Sequence, residues 1–201
     1  MNSLAAQNQV GSSRICSYQK QQQRRAGWRV QQCRLGLATA TSVCLPVVER
    51  ARAPSNKALG YGSKGERLVA GVVPLSNDKV KVLLIQSSSR NGWVLPKGGW
   101  ELDEATASIA ACREAWEEGG IICEVQKDLG TIADLRPTTA LTKNAPKASY
   151  QFFEATVTEE RANWPEKHKR TRAWYTFAQA TQLLAQRPEL LEALKRSSLR
   201  R

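Results

Sequence analysis

Apolar residues recur at regular intervals only from about Gly65 onward. The nearly continuous apolar run Arg67–Leu75 predicts a buried strand, and the alternation of apolar and polar residues over Lys79–Gln86 predicts a second one. Asn77 and Asp78 between them are typical turn residues. The ordered part of the chain is therefore expected to begin with a strand–turn–strand unit.

Further elements follow along the rest of the chain. The pattern predicts a short strand at Trp93–Leu95, a loop over Lys97–Asp103 and a helix from about Ala105 to Gly119, where a glycine pair ends it. Downstream it predicts strands at Ile121–Leu135, Ser149–Thr158 and Arg172–Thr176, a loop that contains Pro137 and Pro146, a helix from the capping box of Thr176 and Gln179 to about Gln186, and a last helix that opens at Pro188.

This order of strands, helix, strands and helices predicts an α/β fold of the mixed α+β kind, with a mixed sheet sandwiched between helices. The chain of 201 residues is long enough for one such domain with a full core. We expect that domain to span residues 57–201.

Residues 1–56 lack the pattern and are rich in Gln, Ser, Ala and Arg. They offer too little apolar surface to offset the entropy lost on ordering, so we predict a disordered extension. Eight basic residues against one acid, Glu49, give this segment +7 of the net charge of +12. Three interpretations stay open: a solvated extension or misassigned start, a mitochondrial transit peptide, and a weak polyanion-binding arm.

Composition argues against several classes of protein. The longest uncharged run, Leu35–Val48, has fourteen residues, too few to span a bilayer. The five cysteines are odd in number and form no C-x-x-C pair, which disfavours a disulfide scaffold and a structural zinc site. The single histidine, His168, excludes a multi-histidine metal site. Catalysis is therefore expected to use carboxylates, lysines and arginines.

Acidic residues cluster on one face of the first predicted helix. Glu114, Glu117 and Glu118 stand at i, i+3 and i+4, where side chains are neighbours and like charges repel. Gly98 and Gly99 precede the helix and allow the backbone to approach a ligand closely. Carboxylates behind a glycine-rich loop suit Mg²⁺, which takes oxygen ligands and often completes its shell with phosphates. The other interpretation is a solvated acidic helix face.

The segment 113–121, REAWEEGGI, matches R-E-U-x-E-E-x-G-U, where U is a bulky apolar residue, although Ala115 is small for its position. This is the second half of the Nudix box. The first half, G-x5-E-x7, fits imperfectly because one residue is inserted. Counting from Gly98 places Glu104 correctly but leaves eight residues before Arg113, and counting from Gly99 puts Ala105 where Glu is expected.

The sequence resembles the Nudix hydrolase superfamily over about residues 65–198, and especially the fungal members of its diphosphoinositol and diadenosine polyphosphate phosphohydrolase branch. The segments 92–101 (GWVLPKGGWE) and 165–172 (PEKHKRTR), with Trp174 after the second, are also typical of that branch. The resemblance implies a Nudix fold and a divalent metal cofactor, Mg²⁺ with Mn²⁺ as an alternative.

The resemblance also implies a role for each matching residue of the box. Glu114 and Glu118 are expected as metal ligands, and Glu117 as the base that orients the attacking water or as a third ligand. Arg113 is expected to pair with a box glutamate, for which Glu104 is the candidate. Metal ions neutralise pyrophosphate oxygens and lower the pKa of bound water, while a carboxylate accepts its proton.

Substrate preference must come from residues outside these acids. A ligand with many phosphates needs several cations, and arginine pairs with phosphate in bidentate fashion. The candidate substrate-binding residues are Arg67, Ser87, Ser88, Ser89, Arg90, Lys97, Gly98, Gly99, Lys147, Arg170, Arg172 and Arg187. No aromatic sandwich for a nucleobase is evident, which favours recognition of phosphates over recognition of a base.

The favoured hypothesis is a metal-dependent pyrophosphohydrolase that cleaves phosphoanhydride bonds in diphosphoinositol polyphosphates and diadenosine polyphosphates, with inorganic polyphosphate as a further candidate. The alternatives are a Nudix hydrolase of other nucleoside diphosphate derivatives or capped RNA, and a catalytically silent domain that binds polyphosphate or RNA. The expected partner is a small polyanion, with no membrane, and with nucleic acid bound at most weakly through residues 1–56. The expected location is the cytoplasm or nucleus, with mitochondria as the alternative.

Overall fold

The computed structural model describes residues 58–88, 91–135 and 147–201. Seven strands form one sheet in this part of the chain. They are β1 (Arg67–Leu75), β2 (Val82–Gln86), β3 (Trp93–Val94), β4 (Lys97–Gly99), β5 (Ile121–Ala133), β6 (Ala148–Glu160) and β7 (Arg172–Tyr175). The main path has the order β3-β2-β1-β6-β5, with β4 paired to β1 and β7 paired to β2. Because β1 and β6 are parallel and the other pairs are antiparallel, the sheet is mixed, as predicted.

Strand β1 lies at the centre of the sheet. Its last seven residues, Val69–Leu75, are all buried. Successive side chains of a strand point to opposite faces, so a continuous buried run means that both faces of the sheet are covered here. The uninterrupted apolar sequence of β1 therefore has a direct structural cause.

Three helices complete the described part: α1 (Ala107–Gly119), α2 (Phe177–Leu183) and α3 (Pro188–Arg196). Helix α1 packs on β1, β4 and β5, α2 packs near β2 and β7, and α3 packs on β5. Together with the mixed sheet, these helices confirm the predicted α/β class.

Helix α1 begins two residues later than predicted. Thr106 has an extended backbone, and its hydroxyl accepts a hydrogen bond from the backbone N–H of Ile109, so it is the N-cap and Ala107 is the first helical residue. At the other end Gly120 adopts φ +61°, the left-handed conformation that ends helices and favours glycine. The cap residues thus fix where the acidic face of α1 begins and ends.

Strand β4 replaces part of the predicted loop 97–103. Lys97 and Gly99 lie opposite Gly71 and Val69 of β1. A Cβ on Gly71 would stand 2.6 Å from the Phe152 ring and 2.7 Å from the Lys97 Cβ, so glycine is needed for this close approach. The sequence Lys-Gly-Gly has little preference for extended structure, and its conformation comes from pairing with β1.

Some predictions fall outside the described residues: the disordered extension at 1–56, the loop that contains Pro137 and Pro146, and the candidate residues Ser89 and Arg90. None of the helices within the described ranges has the length and apolar character needed to cross a membrane.

Candidate active site

Two glutamates of α1 lie directly against strand β4. The backbone N–H of Lys97 donates to Oε2 of Glu118 at 2.9 Å. The carboxyl of Glu114 lies so close to Gly98 that a Cβ at that position would overlap it. Glu114 and Glu118 are 12% and 10% exposed, whereas Glu117 retains 32%. The fold therefore buries two carboxylates beside a glycine strand and leaves the third open to water.

Arg113 joins the segment before α1 to the acidic face of the helix. Its Nε and Nη2 donate to the two carboxylate oxygens of Glu104 at 2.6 and 3.1 Å, and Nη2 also donates to the Gly99 carbonyl at 2.9 Å. Its Nη1 donates to Glu114 at 2.7 Å and to Glu117 at 3.0 Å. The expected Glu104–Arg113 pair is thus present despite the inserted residue.

The charges of this network shift one another's protonation. Burial raises the pKa of Glu114 to about 7, which the positive charge of Arg113 opposes and the negative charge of Glu118 reinforces. Burial likewise raises the pKa of Glu118, although Lys97 and Arg170 oppose the shift. Burial works against the charge of Arg113, but Glu104 and Glu114 outweigh it and raise the pKa of the guanidinium. The two buried acids therefore require positive charge to stay ionised.

Arg170 supplies part of that charge. Its Nη2 donates to Oε1 of Glu118 at 2.5 Å, its Nε donates to Glu166 at 2.6 Å, and its Nη1 donates to the Gln86 carbonyl at 3.3 Å. The candidate residues Ser87 and Ser88 follow Gln86 directly along the chain. They are therefore adjacent in sequence to the backbone carbonyl that contacts Arg170.

Lys97 adds a further cation next to Glu118, and Arg187 adds another near Lys97. Burial lowers the pKa of the Lys97 ammonium, Glu118 opposes the shift, and Arg187 and Arg170 reinforce it, so these groups lie within electrostatic reach of one another. The Nε of Arg187 donates to the buried Glu189 carboxylate at 2.6 Å. Within the described residues, the terminal nitrogens of Arg187 and the Nζ of Lys97 form no hydrogen bond, so they are available to an anion.

A second group of cations lies where the parallel strands β1 and β6 begin. The backbone N–H of Arg67 donates to the carbonyl of Lys147 at 2.8 Å. A guanidinium nitrogen of Arg67 stands 2.9 Å from the place a Cβ on Gly99 would occupy. The Nε of Arg67 is buried and has no hydrogen-bond partner among the described residues, which fits a position that receives an anion.

Arg172 uses its nitrogens on protein groups. Its Nη1 donates to the carbonyls of Gly119 and Gly120 at 2.7 and 2.9 Å, and its Nε pairs with Glu160 at 3.1 Å. Its guanidinium also stacks 4.5 Å from the centre of the Trp164 ring. Arg172 thus holds the C-terminal end of α1, and its expected contact with substrate stays a prediction.

The donor set fits a hard divalent cation. Glu114 and Glu118 offer carboxylate oxygens, and their burial disfavours the charged form unless a cation is present. Because Gly98 has no side chain, the Glu114 carboxyl lies directly against the backbone of β4. Within the described residues, however, no three acidic, histidine or cysteine side chains converge as a ready-made metal centre. Arginines take the place beside the carboxylates, since Arg113 bridges two of them and Arg170 contacts the third.

Glu166 and Glu189 position cations, and neither is among the site residues predicted from the sequence. Glu166 stands four residues before Arg170, a spacing that brings side chains together on a helical turn and was available as a signal. Glu189 stands two residues after Arg187 and is buried. No local sequence pattern predicts this burial. Each acid thus positions an arginine that is a candidate for binding phosphate: Glu166 contacts Arg170, and Glu189 contacts Arg187.

Comparisons with known proteins agree with this fold. A family profile described as the NUDIX domain matches residues 65–196. Nudix hydrolase 17, mitochondrial, of Arabidopsis thaliana is 38% identical over 130 residues, which cover 59% of this chain and 66% of that protein. Nudix hydrolase 16, mitochondrial, of the same plant is 38% identical over 135 residues, 59% of this chain and 72% of the relative. A NUDIX hydrolase from Nitrosomonas europaea has a similar structure, with a TM-score of 0.55 at 18% identity over 65% of this chain and 87% of that one.

The chain therefore belongs to the Nudix family of hydrolases, whose members generally use divalent metal ions. The alignment with Nudix hydrolase 17 spans just under two thirds of that relative's length. The family membership agrees with the fold and with the acidic helix that the sequence places at the centre of the site.

The predicted cytoplasmic or nuclear location is wrong on this comparison. Both Arabidopsis relatives carry a mitochondrial location in their names, as do further matched relatives from the same plant. The prediction failed because the motifs of the folded domain concern chemistry, and only the composition of residues 1–56 bore on the compartment.

Proposed function

We propose that this chain is a metal-dependent pyrophosphohydrolase of small molecules that carry many phosphates, in particular diphosphoinositol polyphosphates and diadenosine polyphosphates. The observation that carries the proposal is the acidic face of α1 flanked by cations. Lys97 lies next to Glu118, and Arg187 lies close enough to Lys97 to act on its charge. Arg67 lies beside Gly99, and its buried Nε has no hydrogen-bond partner among the described residues. Inorganic polyphosphate has the same chemistry and is a further candidate substrate.

The aromatic residues near the site support a preference for phosphate over a nucleobase. Trp93 packs edge-on against Tyr175, with ring centres 5.1 Å apart. The Trp100 indole N–H donates to the Glu104 carbonyl at 3.1 Å and its side chain packs against the core. These rings are used in packing, whereas the cationic nitrogens of Lys97 and Arg187 are available. The chemistry of the open groups therefore matches phosphate oxygens.

Each residue of the site has a role in this proposal. Glu114 and Glu118 would hold the divalent cation, which when bound neutralises phosphate oxygens and lowers the pKa of a bound water. Glu117, the most exposed of the three carboxylates, accepts a proton from the attacking water. Arg113 orients Glu117 and Glu114 through its Nη1, and Lys97 and Arg187 bind the phosphates that do not react.

A panel of substrates tests the proposal with Mg²⁺ or Mn²⁺ present. Diphosphoinositol pentakisphosphate, diadenosine hexaphosphate and polyphosphate are compared with a nucleotide sugar, a nucleoside triphosphate and capped RNA, following release of phosphate or nucleotide. Glu117→Gln is expected to lower kcat by about 10²- to 10⁴-fold, and Glu159→Gln, an exposed acid paired with Arg161, serves as the matched control.

Each outcome of the panel has a defined meaning. Faster turnover of the highly phosphorylated substrates supports the proposal, and loss of turnover on chelation supports its metal dependence. Preference for capped RNA or a nucleotide sugar contradicts the substrate class. Tight binding of polyphosphate without turnover in either metal contradicts the enzymatic function and identifies a silent binding domain.

We also propose a mitochondrial location for the chain. Relatives that match its folded part are named mitochondrial. The strongly basic composition of residues 1–56, with Glu49 as their one acid, agrees with a transit peptide.

A further inference from the structure

Arg170 contacts a carboxylate that the proposed function assigns to the metal ion. Its Nη2 donates to Oε1 of Glu118, while the other carboxylate oxygen of Glu118 accepts from the Lys97 backbone. Arg170 and Glu118 are each only 10% exposed, so little water shares this contact. In the structure, both oxygens of Glu118 therefore already have a donor.

A buried carboxylate needs this kind of partner when no metal ion is bound. An uncompensated charge in the interior is costly, and an arginine that cannot lose its proton is a stable counter-ion. Arg170 meets the need from a position 52 residues away along the chain. The contact thus supplies positive charge beside the Glu118 carboxylate and holds that carboxylate in place.

A divalent cation and a guanidinium cannot both occupy the Oε1 side of Glu118. The two are like charges within a few ångströms, and the site is shielded from water, which strengthens their repulsion. Arg170 must therefore withdraw its Nη2 when a cation binds this oxygen. The direction of withdrawal is limited, because its Nε is held by Glu166 and its backbone N–H donates to the Glu166 carbonyl at 3.0 Å.

Glu166 is itself attached to α1. Its backbone N–H donates to the carbonyl of Glu117 at 3.1 Å, so it moves with the acidic helix. A guanidinium tethered by Glu166 stays next to the metal site after Glu118 is released. Arg187 and Arg170 both act on the charge of Lys97, so the tethered guanidinium stays close to the cations that are proposed to bind the phosphates of the substrate.

We propose that Arg170 is an exchangeable counter-ion: it pairs with Glu118 as the structure shows, and it transfers its Nη2 contact to a substrate phosphate when a divalent cation binds Glu118. This inference rests on the proposed function, since it takes Glu118 as a metal ligand. Arg170 then has two alternative partners, Glu118 and a substrate phosphate. Because the metal ion decides between them, metal binding and phosphate binding each strengthen the other. The cation releases the arginine, and the phosphate keeps it from returning.

The test measures Mn²⁺ binding to the whole chain without any turnover, by electron paramagnetic resonance or calorimetry. Arg170→Gln removes the competing charge and is expected to tighten Mn²⁺ binding by about tenfold in the absence of substrate. With saturating Mn²⁺, the same variant is expected to bind the non-hydrolysable methylenediphosphonate about tenfold more weakly. Opposite changes in the two affinities distinguish an exchangeable counter-ion from a purely structural residue.

Two further variants guard the interpretation. Arg161→Gln removes an arginine of the same segment whose ion pair with Glu159 is exposed, and it should change neither affinity. Arg170→Lys keeps the charge but cannot hold two carboxylates at once, so its Mn²⁺ affinity should lie between those of wild type and Arg170→Gln. If Arg170→Gln loses its cooperative thermal transition and so does not fold, Arg170→Lys replaces it in both binding measurements.

Mn²⁺ binding that is unchanged or weaker in folded Arg170 variants overturns the exchange. Unchanged affinity for methylenediphosphonate overturns it as well, because Arg170 would then have no role at the phosphate. Wild-type protein that binds no Mn²⁺, or binds it equally well after Glu114→Gln, contradicts the metal site of the proposed function instead. The two failures are thus told apart within one set of titrations.

Discussion

Single residues of the site serve several neighbours at once. Arg113 is the clearest case, since its three nitrogens contact Glu104, Glu114, Glu117 and the Gly99 carbonyl while its side chain is only 12% exposed. Removing one partner of such a buried network leaves the others as uncompensated charges. The stability of the protein therefore depends strongly on this arginine.

Arg113→Ala is expected to lower the free energy of unfolding by about 3 to 5 kcal/mol, because it leaves buried carboxylates without their counter-ion. Urea unfolding in the presence of a chelator measures the change. Arg161→Ala, which breaks an exposed pair with Glu159, should cost less than about 1 kcal/mol. Equal losses in both variants would mean that the Arg113 network does not stabilise the fold.

A substitution of Gly98 is expected to lower the activity of the site much more than the stability of the fold. A Cβ there would overlap the Glu114 carboxyl, which is the end of a flexible side chain and can rotate away. Gly98→Ala should therefore change stability by about 1 kcal/mol or less. Because the displaced carboxyl no longer stands where the cation is proposed to bind, kcat/KM should fall by roughly 10²-fold.

Gly119→Ala is the matched control for that experiment. Its Cβ would lie 3.4 Å from an Ile85 methyl, an ordinary contact, and activity should be retained. Full activity in Gly98→Ala would show that the position of Glu114 against β4 does not matter for the reaction.

At the scale of elements, one buried carboxylate links the C-terminal segment to the sheet. Glu154 in β6 is almost fully buried and accepts hydrogen bonds from the backbone and hydroxyl of Ser198 at 2.7 and 2.6 Å. It also accepts from the ammonium of Lys79, in the turn between β1 and β2, at 3.0 Å. Three segments that are distant along the chain therefore meet at one ionised side chain.

Glu154 should make stability depend on pH on the acid side. Burial works against its charge, but the hydrogen bonds from Ser198 and Lys79 outweigh it and lower the pKa of Glu154 below its usual value. The unfolded chain then binds the proton more readily, so the stabilisation is complete above the unfolded pKa of about 4.3 and is lost as pH falls through the lower folded pKa.

Urea unfolding from pH 7 to pH 3 measures this dependence. Glu154→Gln should lose stability at neutral pH and should show a shallower decline on acidification than wild type. Glu159→Gln, an exposed acid of the same strand, should keep the wild-type slope. An unchanged slope in Glu154→Gln would assign the acid sensitivity to other groups.

At the scale of the whole chain, the net charge of +12 divides into parts with different meanings. Residues 1–56 carry +7, and the remainder is spread over a domain in which several cations face carboxylates. The folded domain is thus only moderately basic, and two of its cations, Arg113 and Arg170, pair with carboxylates of the acidic helix. The excess positive charge of residues 1–56 bears on where in the cell the chain is located.

The full chain is expected to enter isolated, energised mitochondria and become resistant to external protease, because its basic, acid-poor segment can serve as a transit peptide. The chain without residues 1–56 should remain accessible to the protease. Import of both forms alike, or of neither, would contradict the proposed location.

The sequence by itself determined the elements and the chemistry that depend on neighbours along the chain. The apolar run of β1, the glycine pair that ends α1 and the spacing of Glu114, Glu117 and Glu118 follow from the local sequence. They predicted the mixed α/β class and the acidic helix face correctly. The match of residues 113–121 to the second half of the Nudix box led to the family in the same way.

The tertiary structure alone decided which charges meet. Arg170 reaches Glu118 across 52 residues, and Arg187, at the N-cap of α3, lies near Lys97 of β4. Arg172, an expected substrate ligand, holds the end of α1. Lys-Gly-Gly became strand β4 only because β1 offered an edge to pair with. These features depend on contacts between segments distant in sequence, where local periodicity carries no information and the packing of the core sets the distances.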